Sequence, residues 1–204
     1  ANTSTVHRIY HYRKPCLSPI TENMDSKDTP LLVAQNDDVI CIKVKGRATV
    51  KTSVPLKAII EERRAKGIIH YILILDECLV MDSTFLGVLA NQAFELVEDG
   101  DPKGSIQLIN PNERLQGLLD NLGVLELFHV VHQNISSNEE PYKAEGESLY
   151  SGSKTEMTKI SLNAHRALIA LNPANEDKFK DVTRFLEDEL NRQENSSPAN
   201  TEAQ

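Results

Sequence analysis

The chain of 204 residues sets 22 Lys and Arg against 30 Asp and Glu, a formal net charge of -8, and is 40% hydrophobic and 25% charged. Those fractions exclude a wholly disordered chain, and the length suits one domain with appendages or two small ones. The acidic balance argues against a general nucleic-acid binder, which needs a basic footprint on phosphates, and no apolar run approaches a membrane span. A mean hydropathy of -0.36 leans polar, so some segments contribute little to a core. The first residues lack the apolar stretch of a secretory signal. Cys16, Cys41 and Cys78 are odd in number and match no zinc spacing, so they read as buried free thiols of a reducing cytoplasm.

In chain order, residues 1–29 are polar, hold Pro15 and Pro19, and show no sustained period, which predicts a flexible tail. Within it, Arg8-Ile9-Tyr10-His11-Tyr12-Arg13-Lys14 is a basic-aromatic patch of a kind that docks a partner or stacks an RNA base, although a surface tail is the plainer reading. Residues 30–134 alternate strand-like and helix-like stretches. Apolar runs at 31–35 and 39–45 flank Asn36-Asp37-Asp38 and predict a hairpin. From Ser53, Leu56, Ile59 and Ile60 recur at helical spacing, and Arg63, Arg64 and Lys66 before Gly67 form a helix stop. The nearly continuous apolar run 68–75 predicts a strand covered on both faces. A helix over 83–98 follows, with Leu86, Leu89, Ala90, Ala93, Phe94 and Val97 on one face. A strand at 105–109, a short helix opened by Asn110-Pro111 and closed by Gly123, and a last strand within 127–132 complete the stretch. The order β-β-α-β-α-β-α-β points to a small α/β layer fold with helices packed on one sheet.

Residues 135–152 are rich in Ser, Asn, Glu and Gly and read as a linker. Over 153–193 the pattern predicts a helical hairpin. Ser153 with Glu156 fits a capping box. Met157, Ile160, Ala164, Ala167, Leu168 and Leu171 mark a helix over 154–171, Asn172-Pro173 breaks it, and Phe179, Val182, Leu186 and Leu190 mark another over 175–192. Helices of this length with a single apolar stripe are marginal alone, so they are expected to pack on each other and on the α/β domain or, as a homodimer, on a second subunit. Residues 194–204 are polar and read as a disordered tail.

No catalytic constellation is recognisable, and nothing calls for a cofactor. His129 and His132, three apart on a strand, point to opposite faces. His7 and His11 lie in the tail, and a metal site needs three or four convergent ligands. His165 lies on a helix near Arg166 and reads as a surface or interface residue. One segment stands out: Met81-Asp82-Ser83-Thr84-Phe85-Leu86-Gly87, between the buried strand and the long helix. Asp, Ser and Thr are natural helix caps, because their oxygens accept the unpaired N–H groups of the first turn. The same free N–H groups and the positive end of the helix dipole also stabilise a phosphate dianion, so the segment suits a phosphorylated hydroxyl as well as a plain cap.

With these residues in place, the stretch from about Val39 to Val131 resembles a STAS domain of the anti-sigma-factor antagonist family of bacteria. The likeness runs through Gly46, through Asp82-Ser83-Thr84-Phe85-Leu86-Gly87 where that family has Asp-Ser-Ser/Thr-Gly-Leu-Gly, through Leu108–Asn110 and the helix of Leu118 and Leu119, to Leu122-Gly123-Val124. It implies an α/β fold with a STAS-like mixed sheet and helices packed on it, here followed by the C-terminal helical hairpin. It also implies a cytoplasmic, non-enzymatic switch. An anti-sigma factor that is also a serine/threonine kinase would phosphorylate Ser83 or Thr84, with Asp82 orienting the loop. The unphosphorylated chain would bind that kinase, and a metal-dependent phosphatase would reset it. Phe85, Leu86 and Gly87 complete the expected switch loop. Phe85, standing where the family has Gly, is expected either to narrow kinase access or to anchor an interface. Two other functions stay open: a non-phosphorylated accessory STAS subunit of a transport or other multiprotein complex, and a small-molecule sensor that would need a pocket.

Overall fold

The computed structural model describes residues 30–36, 38–98, 104–134, 143–144 and 152–196. The first half runs β1 (Leu31–Asn36), β2 (Val39–Val44), β3 (Gly46–Ala48), α1 (Val50–Ala65), β4 (His70–Ile74), β5 (Cys78–Met81) and α2 (Ser83–Glu98). The second runs β6 (Ser105–Ile109), α3 (Glu113–Asn121), β7 (His129–Val131), β8 (Lys143–Ala144), α4 (Lys154–Leu171) and α5 (Glu176–Ser196). Six strands make a mixed sheet in the order β7-β6-β4-β2-β1-β8. β1 and β2 form the expected antiparallel hairpin, and β2, β4, β6 and β7 are mutually parallel.

Strand periodicity divides the apolar residues between the two faces. Ile40, Ile42, Val44, Tyr71, Leu73, Ile106 and Leu108 meet Leu56, Ile59 and Ile60 of α1 and Phe85, Leu86, Leu89 and Ala93 of α2 in the main core. On the opposite face Ala34, Cys41, Ile72, Ile74 and Ile109 form a smaller cluster. β4 is thus apolar on both sides, as its sequence predicts. The Tyr71 hydroxyl donates toward the carbonyls of Ile60 (3.0 Å) and Ile68 (2.8 Å), tying α1 to β4, and burial pushes its pKa up to about 12. Cys41 and Cys78 are buried; Cys16 and the basic-aromatic patch lie outside the described residues.

The C-terminal hairpin forms a third layer. α4 packs on α2 and touches α1, and α5 packs on α4. The connection between α4 and α5 is fastened to the end of α3. Gly123 has a φ of 66°, the left-handed conformation that closes α3, and the Val124 N–H bonds to the Leu119 carbonyl. The Leu122 carbonyl accepts from the side-chain amides of Asn175 (2.9 Å) and Asn172 (3.3 Å), and Lys178 Nζ donates to the Asn121 carbonyl at 2.6 Å. Groups from the hairpin thereby satisfy carbonyls that a helix end leaves open.

Several details differ from the sequence-based expectations. α1 starts at Val50 rather than Ser53, because the Thr52 hydroxyl accepts the Thr49 N–H (2.8 Å) and the Thr52 and Ser53 hydroxyls return to the Thr49 carbonyl. β3 and β5, too short to show a period, pair in parallel as a separate two-stranded ladder. Within the stretch read as a linker, Lys143–Ala144 pair with the otherwise open edge of β1. α5 runs on to Ser196. Phe94 is exposed, and the buried face of α2 includes Val88, Gln92 and Leu96 instead.

Asn175 is fully buried, and its amide bridges the Leu122 and Leu168 carbonyls, each at 2.9 Å. Asn175→Ala is expected to destabilise the chain by about 1–3 kcal/mol, seen as a lower urea midpoint. An unchanged midpoint would show that the bridge contributes nothing.

Candidate functional site

β5 delivers the Asp82 segment directly into α2. The Asp82 N–H bonds to the Ala48 carbonyl (2.9 Å), which fixes the end of the strand, and the Asp82 carbonyl accepts the first helical bond from the Leu86 N–H. Asp82 Oδ1 accepts the Phe85 N–H at 2.8 Å, the geometry of a helix cap. Ser83 and Thr84 therefore occupy the first turn, where backbone N–H groups lack intrahelical partners. Phe85 and Leu86 are fully buried in the core, so Phe85 anchors the loop from beneath and its ring does not stand beside the hydroxyls. Sequence alone suggested an exposed or access-narrowing Phe85; its position as the third helical residue turns it toward the sheet.

The hydroxyls face α4. Ser83 Oγ, half-buried, lies 2.9 Å from His165 Nε2, and Thr84 Oγ1, in a residue only 7% exposed, lies 3.5 Å from Ser161 Oγ. His165 Nδ1 lies 2.8 Å from the Ser161 carbonyl, which can only accept. Nδ1 therefore carries the hydrogen of the neutral ring, and Nε2 accepts the Ser83 hydroxyl. The His165 ring is buried against the ring of Phe179 from α5, with centroids 4.8 Å apart. Gly87 sits one turn further on: a Cβ there would stand 2.5 Å from the Ala164 carbonyl oxygen and 2.8 Å from Ala164 Cβ. Only a residue without a side chain lets the two helices approach this closely.

The six loop residues expected from the sequence thus come together, three presenting polar groups and three supporting them. The residues that sequence reasoning missed are Ser161, Ala164 and, as a direct partner of Ser83, His165. The signal was faint: Thr158, Leu162 and His165 are buried on α4 alongside Leu168, a stripe rotated from the one the apolar residues alone suggested.

No protein-family model and no curated protein sequence matches the chain. Several solved structures do resemble it. A Thermotoga maritima protein described as an anti-sigma factor antagonist has 22% identity and a TM-score of 0.44, over 54% of this chain and 90% of that one. The Bacillus cell fate determinant SpoIIAA in its phosphorylated form has 16% identity and a TM-score of 0.42, over 50% and 90%. An anti-sigma factor antagonist from Mycobacterium paratuberculosis has 19% identity and a TM-score of 0.43, over 52% and 87%. Over about half its length the chain is similar to anti-sigma factor antagonists.

Beyond this loop, a cavity of about 700 Å³ opens between α1, α2 and α4. Two cations on its walls, Lys57 and Lys159, pair with Glu61 (2.8 Å) and Glu194 (3.1 Å). Among the described residues no three His, Cys, Asp or Glu side chains converge as metal ligands, and no helix is long and apolar enough to cross a membrane.

Burial holds His165 below the ordinary histidine range, against the Ser161 carbonyl and the Asp82 charge, which both raise it. As the pH falls, the unfolded chain binds this proton before the folded chain does. The contribution of the neutral ring is therefore complete above its ordinary value of about 6.5 and is lost progressively below it. The urea midpoint is expected to fall between about pH 7.5 and pH 5.5. His165→Gln should lower the midpoint at the upper pH and flatten the decline. An equal decline in both proteins would remove His165 as its source.

Proposed function

We propose that the chain is a phosphorylatable partner-switching regulator. Unphosphorylated, its Asp82–Thr84 loop binds an anti-sigma factor that is also a serine/threonine kinase; that kinase modifies the loop and a phosphatase restores it. The chain is substrate and ligand in this cycle, and Asp82, Ser83 and Thr84 carry no catalytic step of their own. The observation that supports this reading most directly is the Asp82 cap, which places two hydroxyls on the first turn of α2. A phosphate there meets free N–H groups and the positive end of the helix dipole. It adds about -1.5 to -2 charge at the surface a partner would have to cover, so it acts on recognition while the α/β domain keeps its fold.

Ser83 is the favoured acceptor and Thr84 the second choice. Ser83 directly follows Asp82 and is half-buried, whereas Thr84 is β-branched and almost wholly buried. The transfer forms a bond from Ser83 Oγ to the terminal phosphorus of a nucleoside triphosphate. It breaks that phosphorus's bond to the bridging oxygen of the departing diphosphate, and it releases the hydroxyl proton.

Intact mass and site mapping on the full chain from its native cells are expected to find one phosphate, on Ser83. Ser83→Ala should retain the kinase in co-purification and Ser83→Asp should lose it, with both variants folded. A phosphate on Thr84 alone moves the site by one residue. A kinase that binds the domain yet labels neither residue overturns the switch and leaves the accessory-subunit reading in its place.

A further inference from the structure

Both hydroxyls that the switch loop offers face the C-terminal hairpin. The Ser83 hydroxyl is held by His165, the Thr84 hydroxyl faces Ser161, and Gly87 receives the backbone of Ala164. The α4 residues in those three contacts, Ser161, Ala164 and His165, lie within about one turn, on one face of the helix. The face is kept in place from behind by Phe179 against the His165 ring and from its far end by Asn172 and Asn175 on the Leu122 carbonyl.

We infer that the α4–α5 hairpin is a resident cap on the switch loop: a docked α4 shields Ser83 and Thr84, and a phosphate on either hydroxyl expels α4. The inference rests on the reading of this loop as a phosphorylation site. An ester oxygen at Ser83 has no hydrogen to donate, so the bond to His165 is lost. The three anionic oxygens then confront Nε2, which can donate to them only after the ring takes up a proton, against the burial that disfavours its charged form. Thr84 is almost wholly buried, and its hydroxyl already faces that of Ser161 at 3.5 Å. Asp82, at the mouth of the same turn, adds a like charge beside the new phosphate. Docking and modification are thus linked, and each must weaken the other by the same factor. Once released, α4 and α5 lose the surface that stabilises them and unravel, because two amphipathic helices of this length do not persist alone.

The test uses the full chain with phosphoserine incorporated at position 83 during translation, so it needs no kinase. Amide hydrogen exchange over residues 154–171 is expected to rise about tenfold or more relative to the unmodified chain, while β4 and β6 keep their protection. Gly87→Ala, with serine unmodified, is expected to release α4 in the same way without any charge, since Ala favours α2 itself but collides with Ala164. Unchanged protection of α4 in the phosphoserine chain overturns the cap. Loss of protection in β4 and β6 together with α4 in both variants also overturns it, since the hairpin would then be an inseparable part of the core. Release of α4 together with a failure of any kinase to label Ser83 would sink the switch reading while leaving the mutual exclusion standing. Labelling of Ser83 with α4 still protected would sink the cap alone.

Discussion

Helix α2 is covered twice, and the rest of the structure follows from that. Its residues Thr84 through Ala90 are all buried, a run of seven that a helix lying on a sheet cannot achieve with one neighbour. One side packs on the strands through Phe85, Leu86 and Leu89; the other lies under α4. Gly87 makes the second contact possible, at the expense of helix propensity: glycine in a helix interior is less favourable than alanine by about 1 kcal/mol. The backbone approach at Ala164 gives that glycine a structural reason in this chain, whatever else the position serves.

The outer surface of the hairpin is held differently. Lys154–Glu189, Lys159–Glu194 and Arg166–Glu187 link α4 to α5 across solvent. Exposed pairs of this kind contribute little each and are screened by salt. The hairpin therefore depends on its inner contacts: the Phe179 ring, the His165 network and the asparagine bridges to α3. Most of these are neutral, so ionic strength acts on the surface pairs more than on the docking itself.

Much of this was legible in the sequence. The strands near Val33, Ile42, Leu73 and Leu108 carry strong local patterns, and the limits of α2 and α4 follow from Asp82, Ser153 and Asn172, residues whose chemistry is local. The short ladder of β3 and β5 was not legible, because three or four residues give no period. Phe94 was misplaced for a related reason: a helix buried on two sides has no clean apolar stripe, and counting only apolar residues picks the wrong arc. On α4 the same rule overlooked Thr158 and His165, polar residues that are buried because they find partners. The Ser83–His165 contact joins residues 82 positions apart, and no local rule reports on such a pair.

The covalent connection between α4 and the domain it covers has one more consequence. A segment of the same chain acts on its docking surface at an effective concentration on the order of millimolar, which dilution does not lower. Any separate protein that seeks the start of α2 meets a competitor fixed in amount, and its apparent affinity is reduced by the fraction of time the surface is occupied. The excised α/β domain and the chain with its hairpin therefore present different surfaces, even though every residue at the start of α2 is the same in both.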